Sequence, residues 1–86
     1  MELNECRLLL NEIDAKMKDL FLKRMDVVKE VALYKKENNL PIFDEKREAE
    51  MKERLTADLD DMKDYYLDFL EEVLKISKQY QTNILK

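Results

Sequence analysis

Arg24 and Lys35 pose the chemical question in this chain, because they are eleven residues apart on what reads as one helix. That separation is about 1100° of rotation, three turns plus about 20°, so both project from one face with Cα atoms about 16 Å apart. Two long side chains leaning toward each other across that span leave room for a small dianion between their heads. Arg24 also stands where an otherwise apolar 4-3 alternation demands a hydrophobe. A buried, unpaired arginine is costly, so it either has a carboxylate partner in the protein or awaits an anionic ligand. Arg7 lies about 25 Å before Arg24 and about 100° round the helix, and the two cannot share a ligand within one straight helix. Arg7 therefore either points to solvent or reaches a site in another subunit. Ser77 and Gln81 are stacked on one helical face within an apolar stripe, where such pairs usually make helix-helix hydrogen bonds. Asp44 and Glu48 have the same four-residue spacing with Arg47 between them, and taken alone they read as an N-cap and a solvated charge run.

Composition narrows what these residues can do. Histidine is absent, which removes Ser-His-Asp and Cys-His nucleophile systems, imidazole acid-base work and most zinc chemistry. No metal and no cofactor is expected. Lys and Arg total 16 against 20 Asp and Glu, a net charge of −4, the wrong sign for a nucleic-acid partner. An anionic ligand would need a local basic cluster against that field. The single cysteine, Cys6, falls on the apolar seam and reads as a buried, inert thiol in a reducing cytoplasm. The longest apolar run, Val31 to Tyr34, is far short of the roughly 20 residues that span a bilayer, and the stretch MELNECR has no signal-peptide pattern. No membrane partner is expected.

The elements that must position these groups are helical. Gly is absent and Pro occurs once, so hairpin turns that need positive φ have almost no residues to build them. The apolar spacing Cys6, Leu10, Ile13, Met17, Leu20, Val27, Val31, Tyr34 predicts a first helix from about residue 4 to 38 with one buried stripe, roughly 50 Å long. Asn39 can take the left-handed conformation that ends it, and Pro41 cannot continue it. Asp44 is the predicted N-cap of a second helix of about 14 residues carrying Met51, Leu55 and Leu59. An Asp-rich turn near 57 to 60 leads to a third helix with Tyr66, Phe69, Leu70, Val73, Ile76, Tyr80 and Ile84. The fold class is all-α, one domain over residues 1–86, with one long helix and two shorter ones. Two short helices leave part of a 50 Å stripe exposed unless a second chain covers it.

Taken together, these residues bring a family into view. The chain resembles, over nearly its whole length, the all-helical class of chorismate mutases, which rearrange chorismate to prephenate in aromatic amino acid (Phe/Tyr) biosynthesis. The resemblance is carried by Arg7 and Asp14 of NEID, DLFLKRM with Arg24, VALYKKENNLPIFD with Lys35 and Asp44, KREAE with Arg47 and Glu48, and ISKQYQ with Ser77 and Gln81. Asn39 departs from it, standing where many relatives have Gly, and so does the shorter Asp-rich connection before the third helix. The resemblance implies a cytoplasmic, intertwined homodimer of three-helix chains in which each site receives Arg7 from the partner chain. It implies that Arg24 and that Arg7 bind the two carboxylates of chorismate, with Ser77 assisting. Glu48 and the backbone at Asp44 hold the ring hydroxyl, Arg47 lines the site and positions Glu48, and Lys35 and Gln81 donate to the ether oxygen. Lys35, Gln81 and Glu48 form the implied catalytic set. An isochorismate pyruvate-lyase on the same fold is the nearest alternative, although Glu48 and Ser77 favour the mutase. A non-enzymatic helical dimerisation module is the alternative that the seam and charge pattern alone would suggest.

The implied reaction is a unimolecular pericyclic rearrangement that needs no proton transfer, so the absence of histidine constrains the reaction type without arguing against an enzyme. Ordinary carboxylates titrate below, and lysine and arginine above, the window from about pH 6 to 9, so kcat/KM should stay nearly flat across it. A steep bell centred in that window, measured by initial rates, contradicts this reading.

Overall fold

The computed structural model describes residues 1–86 as three helices without a strand. Helix α1 runs over Leu3–Glu37, α2 over Glu45–Thr56 and α3 over Lys63–Ile84. Glu2 caps α1 by accepting from the Asn4 amide at 3.1 Å. At the other end Asn39 has φ 55°, the left-handed turn expected of it, and the Leu40 amide closes back on the Lys35 carbonyl at 2.8 Å. The Asn38 side-chain amide also donates to the Tyr34 carbonyl at 2.9 Å. Orphan carbonyls of the last turn are thereby satisfied without a glycine. Asp44 is the N-cap of α2, its Oδ1 accepting from the Arg47 amide at 3.0 Å.

The second helix is shorter than its apolar spacing suggests, 12 residues. Thr56 donates its hydroxyl to the Lys52 carbonyl at 2.7 Å in the last turn, and the connection then occupies residues 57–62, two residues more than the aspartates alone indicate. Carbonyls of Thr56 and Asp60 accept from Leu59 and Lys63 at 3.1 Å, so this segment is two successive turns.

Helix α3 is the centre of the chain. It packs against both α1 and α2, whose backbones do not approach each other closely. Its buried residues are Leu70, Leu74, Ser77 and Gln81, a repeat of four, three and four that places them on one stripe. Met51 of α2 closes a small core with Leu70 and Leu74, flanked by Leu55 and Tyr66. Against α1 the contact is made by Val28 and Ala32, the latter fully covered, because alanine lets two helix backbones approach closely.

The expectation of one buried stripe on α1 is corrected here. The covered face lies one step round the helix from the seam, and the seam itself stays open: Ile13, Met17, Leu20, Val27, Val31 and Tyr34 are 40–63% exposed, and Cys6 at its start, expected to be buried, is only partly covered. Helix α3, at 22 residues, spans little more than half of the 35-residue α1, so its N-terminal half has nothing from its own chain to pack on. Only 8 of 86 residues are buried, too few to hold a helix of this length by packing. The extents are 53 × 26 × 15 Å and the radius of gyration is 16.0 Å, against about 12 Å for a compact chain of this length. Surface area tells the same story, 7287 Å² against about 5,400 Å² for a compact monomer of this mass.

The left-handed turn at Asn39 gives a stability prediction. Asn39→Gly should lie within about 0.5 kcal/mol of the parent, whereas Asn39→Val should lose about 1–2 kcal/mol, because a β-branched residue pays the full steric cost at positive φ. Urea unfolding at fixed protein concentration checks both.

Candidate functional site

Arg24 and Lys35 sit on the α1 face that also carries Val28 and Ala32, and both are partly covered by the neighbouring elements. Neither forms an ion pair. Arg24 donates through Nη1 to the Ser77 hydroxyl of α3, and that hydroxyl donates in turn to the Val73 carbonyl at 2.8 Å. Lys35 donates to the Ile42 carbonyl in the loop before α2 at 2.7 Å. The chain has 20 acidic side chains, yet these two half-buried cations are held by a hydroxyl and a carbonyl. Uncharged acceptors fix the geometry of a cation and leave its charge uncompensated, which is the arrangement of an anion receptor. Of the two readings of Arg24, the structural carboxylate partner is absent.

Gln81 lies one turn beyond Ser77 on the buried stripe of α3 and is 6% exposed. Its Oε1 is buried with no hydrogen-bond partner. An orphaned buried amide is expensive. The planar amide can present either its oxygen or its NH₂ to the same point by rotation about χ3, so it is suited to donating to an oxygen that arrives with a ligand.

Glu48 is in the first turn of α2, placed there by the Asp44 cap. Its side chain is 14% exposed and pairs with Lys78 of α3 at 3.2 Å. The Lys78 ammonium also sits 4.7 Å from the centre of the Phe43 ring. Lys78 and Phe43 are site neighbours that sequence reasoning did not single out. The only signal was position, since Lys78 lies between Ser77 and Gln81 in ISKQYQ, and its partner is 30 residues away.

The structure therefore brings Arg24 to Ser77, sets Gln81 on the same stripe, and ties Lys35 and Glu48 to the loop that α2 grows from. It does not bring all the expected residues together. Arg47 turns outward, 65% exposed, toward Glu50 at 3.6 Å. Arg7 is exposed on the open half of α1 and has no hydrogen bond or ion pair. The two main grooves of the single chain lie elsewhere. One, about 790 Å³, is an open polar groove along α3 that includes Glu71, Lys75, Lys78 and Thr82. The other, about 460 Å³, is an apolar groove by the α2–α3 turn that includes Leu59, Met62 and Phe69. Arg24, Lys35, Ser77 and Gln81 line neither.

Comparison with protein families matches residues 6–82 to the family described as chorismate mutase type II. Comparison with the curated proteins and with the solved structures returns no match. The family match covers nearly the whole chain, and the chain belongs to that family; its function is chorismate mutase activity, the isomerisation of chorismate to prephenate. Nothing in the match favours the lyase or the non-enzymatic module.

Arg24→Leu separates the receptor from a seam defect. Removing a half-buried charge that has no counter-charge should leave the melting temperature unchanged or higher. It should lower kcat/KM at least about a hundredfold, the loss of one charge-assisted clamp worth roughly 3 kcal/mol. Activity within a fewfold of the parent contradicts the assignment.

Proposed function

We propose that two copies of the chain form an intertwined homodimer with two equivalent sites, and that each site holds chorismate with Arg24, Lys35, Asp44, Glu48, Ser77 and Gln81 of one chain and Arg7 of the other, Arg47 standing at its solvent edge. The observation that carries this reading is the pair of half-buried cations, Arg24 and Lys35, held only by neutral acceptors. The open apolar seam of α1 and its excess surface support the second copy: pairing the long helices covers the seam and brings the far end of one α1 to the site of the other. Symmetric pairing about a twofold axis gives both sites the same borrowed residue.

In this arrangement Arg24 and the partner chain's arginine at position 7 clamp the two carboxylates, with the Ser77 hydroxyl beside Arg24. Clamping holds the enolpyruvyl arm over the ring in the reactive conformer, which extended substrate in water rarely adopts. Glu48 accepts from the ring hydroxyl, and the backbone at Asp44 adds a second contact. Arg47 lines the solvent side of the first turn of α2.

Chemistry then needs one more term. As the C–O bond breaks, negative charge grows on the ether oxygen, and donors already aimed there stabilise the transition state more than the ground state. Lys35 spends one of its three N–H groups on the Ile42 carbonyl, which fixes the ammonium and leaves two donors free. Gln81 supplies the neutral donor opposite. A preorganised donor of this kind is worth about 3–4 kcal/mol, so two of them account for most of the roughly 8 kcal/mol that a millionfold acceleration requires. No proton moves and no cofactor enters the sequence of steps. A cytoplasmic enzyme of aromatic amino acid biosynthesis fits this chemistry.

Lys35→Ala should abolish turnover with little loss of helicity, read by chorismate depletion and circular dichroism on the same sample. Substantial residual activity refutes the ether-oxygen role. Sedimentation of the parent should give twice the chain mass, and product analysis should give prephenate; salicylate and pyruvate from isochorismate would mark the lyase instead.

A further inference from the structure

Among the ion pairs of the chain, the one between Lys78 and Glu48 differs in kind. The carboxylates of the others, Glu50 and Glu71, are 54% and 60% exposed, whereas that of Glu48 is 14% exposed. Surface pairs of the first sort contribute little. A largely covered carboxylate without a partner is costly and turns toward whatever cation it can reach.

Lys78 makes contact with both oxygens of Glu48, at 3.2 and 3.3 Å, while its ammonium rests over the Phe43 ring at 4.7 Å. The aromatic face restricts where the ammonium can go, so the carboxylate is held by a cation that is itself held. Phe43 sits between Ile42, whose carbonyl takes Lys35, and Asp44, whose carbonyl accepts from the Glu48 amide at 3.1 Å. Residues 42–44 thus fix Lys35, Lys78 and Glu48 relative to one another. Arg47, the neighbour that the sequence suggested for this task, faces Glu50 instead.

We propose that Lys78 is a positioning residue, which holds the Glu48 carboxylate toward the ring hydroxyl of the substrate and away from Arg24 and Lys35. A dianionic ligand repels a carboxylate in its own pocket, and a carboxylate free to swing would neutralise the cations meant for the ligand. Lys78 removes both difficulties by giving Glu48 a partner of its own. The inference rests on the proposed role of Glu48 in holding the substrate.

The test is a double-mutant cycle read in kcat/KM, with melting temperatures measured alongside. Lys78→Met should lower kcat/KM about tenfold or more, the scale of a misplaced contact group. Lys78→Arg should restore it to within about threefold, because the charge returns. In a Glu48→Gln background Lys78→Met should have almost no further effect, since a residue that acts through Glu48 has nothing left to position. Should Lys78→Met lose its cooperative melt, Lys78→Gln carries the same cycle with a similar stem. An equal loss in both backgrounds overturns the inference and leaves the role of Glu48 standing. If Glu48→Gln alone is silent, the role of Glu48 fails and the inference fails with it.

Discussion

The contact between Arg24 and Ser77 across α1 and α3 is the point on which the structure turns. A half-buried guanidinium offered only a hydroxyl represents an unmet electrostatic demand, in a chain with no shortage of carboxylates. Lys35 repeats the arrangement eleven residues on, with a loop carbonyl in place of the hydroxyl. Two such uncompensated cations on one helical face suit an anionic ligand, and in the proposed site Arg24 takes a carboxylate of chorismate while Lys35 takes the ether oxygen. Gln81, whose Oε1 is buried without a partner in the single chain, adds a third group, one that meets the ether oxygen of the proposed ligand through its NH₂ after rotation about χ3. Arg24 and Lys35 are each held by a neighbour that does not neutralise them, which is why stability and function are expected to separate at these two positions.

The second constraint is size. A chain of 86 residues cannot enclose a pocket and also hold a 35-residue helix with its own core. Helix α3 spends its buried stripe on Val28 and Ala32 of α1 and on Met51 of α2, leaving the seam of α1 open along its length. The proposed dimer resolves both shortages with one interface: the seam finds an identical seam, and the missing wall of each site arrives with the partner's α1. Arg7, exposed and without a hydrogen bond or ion pair in its own chain, is given a role by the proposed dimer.

Much of this was legible in the sequence, for identifiable reasons. The helix ends at Asn39 and Asp44 were readable because both act through local hydrogen bonds and backbone conformation. Arg24 and Lys35 were readable because helical geometry fixes which residues share a face. Membership of the family was readable only from the polar motifs taken together, and the family match supports that membership. What stayed hidden depended on tertiary choice. The seam of α1 has two adjacent apolar faces in its second half, and periodicity alone does not say which one α3 takes; the small side chain of Ala32 decided it. Leu74 was overlooked on α3 for the same reason. Lys78 and its partner Glu48 are 30 residues apart, and no local pattern links them. The outward turn of Arg47 toward Glu50 is likewise a competition between neighbours that spacing does not settle.

The central claim is that each site is built from two chains, and subunit complementation tests it most directly. Arg7→Ala and Arg24→Ala proteins are each purified, shown to be inactive, then mixed, unfolded and refolded together. In a mixed dimer one of the two sites regains both arginines, so random pairing should recover about a quarter of the parent activity for the same total protein. A mixture that stays as inactive as its parents, while sedimenting as a dimer, would contradict the shared site.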